Sequence, residues 1–318
     1  MSSDVLNYDI PGIMACQKNR YPMLFLDRVT ECIPGQYAKG FKLFSYNEWF
    51  FHGYETDGPK VWSAILIESM SQLFLMTFLS KEDLNGSITM SNKFDKVQFF
   101  KKIEPGDRLE LEATLSSFGR GVAKGKVIGS VNEKIACSME CTIIVPKLFG
   151  NFLNISSKSN YNQEITANLP KSEIGFGIEK IKQCLLNKYP WLLLDKVLEI
   201  TPGKSVTAIK NFTYNESFFP LHFPQDPNVP GFIQIEACIQ SFMLTFLSLE
   251  EHKRRETADR VLNNILLKRK IIPGETLEMV AKLVSFNRGI AMGKIESFVD
   301  GEPAVSFEAT VVIPDEIG

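Results

Sequence analysis

The chain is written twice. At an offset of 168 residues, RYPMLFLDRV (20–29) answers KYPWLLLDKV (188–197), SYNEWFF (45–51) answers TYNESFF (213–219), and SSFGRGVAKGK (116–126) answers VSFNRGIAMGK (284–294). Residues 20–146 align with 188–314 without insertion or deletion, and roughly 50 of the 127 positions are identical. Any fold for this chain must therefore be one fold used twice. The boundaries expected are copy one over 1–147, a linker over 148–177, and copy two over 178–318. The linker is rich in Asn, Ser and Lys and lacks apolar periodicity.

Each copy has the same order of elements. A short amphipathic stretch leads to a strand around LLLDKV, a Pro-Gly turn, a strand into NFTYNE, a loop, and then a long apolar helix. Alternating strands follow a polar patch: ETLEMVAKLVSFN, IAMGKIESFV and AVSFEATVVIP. The helices in 62–80 and 232–248 have no polar face, so something must enclose each one. An antiparallel sheet wrapped around each helix satisfies that requirement and predicts an α+β fold. Glu and Gln inside both runs argue against reading them as membrane spans.

Composition narrows the function. The 318 residues carry a net charge of −2 with a pI near 6.1, which excludes a general nucleic-acid binder. Six cysteines form no CxxC pair, and with three histidines far apart no zinc spacing emerges. Neither a metal nor any other cofactor is expected. The N-terminus lacks a basic region followed by an apolar run, so a cytoplasmic location is expected, with buried reduced thiols.

Two constellations carry candidate chemistry. Glu236 and Gln240 are four apart on one helix face, and Glu68 and Gln72 repeat the pair in copy one. A carboxyl on an apolar helix is desolvated, and without a cation beside it its pKa rises until it can serve as an acid. A buried Glu merely hydrogen-bonded to Gln fits the same pattern. His222 opens a loop, HFPQDPNVPG, that Pro224, Pro227 and Pro230 stiffen. Gly231 follows at the expected helix start, where its bare N–H can face an oxygen gaining negative charge.

HFPQDPNVPGFIQIEA, with KYPWLLLDKV upstream and KIIPGETL downstream, resembles the 3-hydroxyacyl-[acyl-carrier-protein] dehydratases of fatty-acid synthesis. The resemblance covers both copies, and it implies a double hot-dog: a curved antiparallel sheet around one long helix in each copy, paired as an intramolecular pseudo-dimer. It also implies that the histidine of one hot-dog faces the acid of the other. Carried over, the working site joins His222, Gly231, Phe223 and Pro230 of copy two to Glu68 and Gln72 of copy one. Tyr54 and Ser63 then stand where His222 and Gly231 do, facing Glu236 and Gln240 in a degenerate second site. His52, two residues before Tyr54, is expected to cap or pack locally.

The implied partner is acyl-carrier protein, which presents an acyl thioester on its phosphopantetheine arm. Lys268, Arg269 and Lys270 are the candidate docking residues, and Phe232, Met70 and Phe74 are candidates for an acyl tunnel. Further oligomerisation is left open. Two other readings stand beside dehydration: a non-catalytic hot-dog that binds carrier protein, and hot-dog thioester hydrolysis or isomerisation. Family members that also isomerise tend to carry Asp at the helix acid, whereas both copies here carry Glu.

Overall fold

The computed structural model describes residues 5–53, 58–148 and 173–317. Most of the expected linker and Tyr54 lie outside the described residues.

Copy one contains β1 (Leu6–Tyr8), α1 (Ile10–Cys16), β2 (Arg28–Ile33), β3 (Tyr37–Leu43), α2 (Ser63–Leu79), β4 (Met90–Phe99), β5 (Arg108–Gly119), β6 (Val122–Val131) and β7 (Lys134–Ile144). Copy two repeats the series as β8 (Glu173–Gly177), α3 (Ile178–Cys184), β9 (Lys196–Thr201), β10 (Ser205–Asn211), α4 (Gly231–Leu247), β11 (Ala258–Leu267), β12 (Thr276–Asn287), β13 (Ile290–Val299) and β14 (Glu302–Val312). Residues 173–177, expected in the linker, instead pair with β9 as an edge strand, so copy two begins earlier than its sequence suggests.

Among the described residues, fourteen strands form one antiparallel sheet in the order β1-β2-β3-β5-β6-β7-β4-β11-β14-β13-β12-β10-β9-β8. The order reads the same from either end, copy for copy, which is the signature of a pseudo-twofold axis. That axis passes through the β4–β11 pair, where Leu262 lies opposite Val97 and Ile265 opposite Phe94. Neither seam strand was expected. Asp259, Arg260, Asn263 and Asn264 break the alternation of β11, because part of its surroundings is the other copy rather than its own core. Asn264 N–H donates across the seam to Asp95 Oδ1 at 3.0 Å.

The alternating strands fall where their patterns placed them. The β5–β6 and β12–β13 hairpins turn at Arg120-Gly121 and Arg288-Gly289, with positive φ at both central residues, as tight two-residue hairpin turns require.

Each sheet half curls around its helix. α2 packs on β3, β5, β6 and β7, α4 packs on β10, β12, β13 and β14, and the two helices touch. In α2 every residue except Ser63 and Glu68 is buried, and in α4 every residue except Gly231. Among the described residues no helix is long and apolar enough to cross a membrane. The missing polar face is thus explained by enclosure in protein.

The segment LLLD (192–195) is not a strand, contrary to expectation. Its backbone is claimed by a side chain: Leu193 N–H donates to Gln240 Oε1 at 2.9 Å, and Gln240 Nε2 donates to Trp191 O at 2.8 Å. Gln72 does the same in copy one, accepting from Phe25 N–H and donating to Met23 O, both at 2.7 Å. These bonds stabilise by roughly 1 kcal/mol each, and they fix the rotamer of each Gln for its next contact.

Candidate active site

That next contact is the helix carboxylate. Gln72 Nε2 donates to Glu68 Oε1 at 2.8 Å, and Gln240 Nε2 to Glu236 Oε1 at 2.8 Å. Burial pushes the Glu68 carboxyl up to about 7, against the opposing pull of the Gln72 hydrogen bond. Burial, reinforced by the charge of Asp259, pushes Glu236 up to about 8. Both are poised to exist as neutral acids near neutral pH.

His222 is half-buried in the loop before α4. Its own N–H donates to Phe218 O at 2.8 Å, and Asn228 N–H donates back to His222 O at 2.9 Å. The ring nitrogen Nδ1 lies 3.0 Å from Asn228 O. A carbonyl only accepts, so Nδ1 carries the hydrogen and Nε2 is left with its lone pair. Burial lowers the imidazole pKa, and Lys270 nearby lowers it further. Phe223 stacks on the ring at 4.4 Å between centroids. Pro230 is buried and caps the start of α4.

Gly231 opens that helix, so its N–H belongs to the first-turn donors that have no acceptor within the helix. A Cβ there would come within 2.9 Å of Leu267 Cδ1, the tip of a side chain on the cavity wall.

His222, Gly231 and Glu68 line one cavity of about 100 Å³. Loop and helix start come from copy two, the carboxyl from copy one. Phe232, Met70 and Phe74, read as tunnel candidates, do not line it. They are core: Phe232 packs edge-on against Phe25 at 5.5 Å, and the ring of Phe74 lies where a Cβ on Gly125 would be. The apolar wall is made instead by Leu75, Ile88, Val229 and Leu267.

Sequence reasoning also missed Gln234. Its Nε2 donates to Val229 O at 3.0 Å, but its buried Oε1 has no partner among the described residues, and the side chain lines the cavity. An unpaired buried acceptor in a cavity is waiting for a donor. The signal available was a difference between the copies, since Leu66 occupies the equivalent position.

Of the docking candidates, Lys268 is exposed. Arg269 and Lys270 line the cavity mouth but are engaged internally: Arg269 with Glu275 and Glu302, Lys270 with Asp226. His52 is exposed and packs on Tyr46 at 5.7 Å, and it does not line either cavity discussed here.

Of the four residues expected in a degenerate second site, Ser63 and Glu236 line a second cavity, of about 280 Å³, Gln240 reaches it only through its bond to Glu236, and Tyr54 lies outside the described residues. Ser63 Oγ donates to Asp259 Oδ2, a tie with no counterpart at Gly231.

An antiparallel sheet curled twice around a buried helix, with a cavity built from both copies, defines a double hot-dog protein. Residues 18–140 and 185–308 each match the FabA-like domain, and the chain belongs to that family as a tandem repeat. It is 38% identical over 135 residues to the 3-hydroxyacyl-[acyl-carrier-protein] dehydratase FabZ of Clostridium novyi, covering 42% of this chain and 95% of the relative. It is 39% identical over 125 residues to the enzyme of the same name from Acetivibrio thermocellus, covering 39% of this chain and 86% of the relative. Among solved structures it is similar to the dehydratase domain of RzxB from Pseudomonas fluorescens, with a TM-score of 0.58 and 12% identity over 91% of this chain and 98% of that one. At that identity the likeness concerns the fold alone.

Proposed function

We propose that the chain is a hydro-lyase that converts 3-hydroxyacyl thioesters, carried on acyl-carrier protein, to trans-2-enoyl thioesters. The observation that carries this reading is the convergence of His222, Gly231 and Glu68 on one cavity. The FabZ relatives support the choice of substrate.

Each step is assigned to a group that lines the cavity. Nε2 of neutral His222 takes a proton from C2 of the acyl chain. Charge builds on the thioester oxygen, where the Gly231 N–H and the N-terminal end of α4 stabilise it. The C2–C3 double bond forms as the C3–O bond breaks. Glu68, protonated, gives its proton to the departing oxygen, which leaves as water. His222 is then imidazolium and Glu68 carboxylate, and a net proton transfer from one to the other restores both. No cofactor takes part in this scheme.

Gln234 Oε1 is placed to accept the hydrogen of the substrate 3-hydroxyl while Glu68 protonates the same oxygen. Lys268 is the remaining docking candidate for an acidic carrier protein. The test is a dehydration assay on 3-hydroxyacyl-carrier protein, followed by the rise in enoyl-thioester absorbance. Turnover that His222→Ala abolishes supports the reading. Absence of turnover at every chain length tried would leave the carrier-binding scaffold as the better account.

A further inference from the structure

The pseudo-twofold axis maps the first cavity onto the second, position by position. Glu68 and Gln72 become Glu236 and Gln240, with the same 2.8 Å bond between them. The wall residues Val229 and Leu267 become Val61 and Phe99, and the mouth residues Arg269 and Lys270 become Lys101 and Lys102. The bare glycine is gone, and Tyr54 holds the sequence position of the base. What remains is a lined cavity: an apolar wall of Val61, Leu66 and Phe99, the buried acid Glu236, and cations from Lys60, Lys101 and Lys102.

The second cavity also differs in ways that loss of function alone does not require. It is nearly three times larger, about 280 against 100 Å³. Leu66 replaces the polar Gln234, while Glu256 and Asp259 stand where the first cavity has Ile88 and Ser91, so the lining gains apolar and charged groups alike. Lys60 replaces Asn228 and is held by Thr257 O and by Glu256 at 3.6 Å, while Arg260 adds a further cation to the lining. Asp259 accepts from Ser63 through Oδ2, and its buried Oδ1 has no partner among the described residues. The cavity opens to solvent, and its wall carries a vacant acceptor among the described residues.

We propose that the second cavity is a binding site for an acyl chain on phosphopantetheine, longer than the chain the first cavity turns over, held without dehydration. The chain lies along Val61, Leu66, Phe99 and Met243. The thioester end meets Glu236, the pantetheine amide N–H groups are donors suited to Asp259 Oδ1, and the phosphate meets Lys101 and Lys102. This rests on the reading above that the first cavity takes an acyl thioester.

The experiment is isothermal titration calorimetry of the whole chain with hexadecanoyl-phosphopantetheine, which lacks a 3-hydroxyl and cannot react. Wild type and His222→Ala are expected to bind equally at the second cavity. Leu66→Trp, which fills that cavity, should remove one equivalent. The surface pair Lys101→Glu and Lys102→Glu, which poses little risk to folding, should weaken the same equivalent about tenfold. Neither variant should change dehydration at the first cavity by more than about twofold. Binding that survives both changes overturns the proposal, as does palmitate taking the equivalent when the phosphopantetheine thioester does not. If wild type dehydrates its substrate but shows no such equivalent, this inference falls and the dehydratase reading stands. If the equivalent is present but no carrier-bound chain is turned over, the dehydratase reading falls instead.

Discussion

Glu68, on the helix of copy one, and His222, on the loop of copy two, line the same cavity, while Glu236, only fourteen residues beyond that histidine, lines the other one. Proximity in the chain and membership of a common cavity are thus opposed. His222→Ala and Glu68→Gln should each lower kcat by about 10²–10⁴, the range for removing a positioned base or acid. The double variant should be little worse than either, since groups acting on one transition state are not additive. Glu236→Gln should leave turnover within about twofold. Steady-state kinetics on carrier-bound substrate decides this, and the opposite ranking of the two Glu variants would sink the cross-copy site.

The pH profile should reflect the same pair. His222 must be neutral, and burial lowers its pKa, so its limb lies on the acid side of the usual imidazole value. Glu68 must be protonated, and its carboxyl titrates at about 7. Activity should therefore be highest in mildly acidic solution and fall above about pH 7. Measurement of kcat/KM from pH 5 to 9 tests the sign. A profile that rises through pH 8 would mean that Glu68 acts as carboxylate, not acid.

The sequence was most informative where the environment is regular. The alternation of ETLEMVAKLVSFN marks β12, because that strand has one face on its own core. β11 was illegible because one of its edges joins the other copy, and its Asp259 and Arg260 line the second cavity. LLLD reads as a strand from side chains alone, but Leu193 N–H bonds to the side chain of Gln240, 47 residues further along the chain, which no local pattern reveals. Glu68 and Gln72 were visible in the repeat, and His222 and Gly231 in the loop HFPQDPNVPG of copy two alone. Which apolar residues wall the cavity was not, because Phe74 and Leu75 are neighbours on one helix and only packing decides that the second faces the cavity.

Gln234 offers a test of positioning. Gln234→Leu copies the residue that copy one carries at Leu66, so the volume is familiar to this helix. The unpaired acceptor disappears, and so does the bond to Val229 O. If Oε1 receives the substrate hydroxyl, 3-hydroxyacyl substrate should lose about tenfold in kcat/KM, while affinity for the enoyl product, which lacks that hydroxyl, stays within about twofold. A purely structural role would weaken both alike.

Gly231→Ala keeps the backbone N–H but adds a methyl group that meets Leu267 Cδ1 at 2.9 Å. Either Leu267 turns into the cavity and narrows it beside the donor, or α4 shifts and misplaces the donor itself. Turnover should fall by about one to two orders of magnitude, as small misplacements do. Leu267→Val removes the offending carbon, so adding it to Gly231→Ala should restore a substantial part of the loss. Failure of that rescue would show that bare backbone, rather than space, is what the position needs.

Glu236 permits a stability measurement independent of substrate. It is 1% exposed, and its folded-state carboxyl titrates at about 8, against the model-peptide value of 4.5. The folded protein therefore holds a proton there that the unfolded chain releases at lower pH. Its contribution to stability is fully present below pH 4.5 and is lost as the pH rises through about 8. Glu68 acts in the same direction, with its window closing near 7. The wild-type Tm should thus decline from pH 5 to pH 9 more steeply than that of Glu236→Gln. Gln at 236 keeps an oxygen for the Gln240 amide and never has to ionise in an apolar helix. The variant should match wild type near pH 5 and exceed it near pH 9. Parallel curves would mean that Glu236 is ionised in the fold and compensated by Lys60, and the neutral-acid description of the second cavity would have to be abandoned.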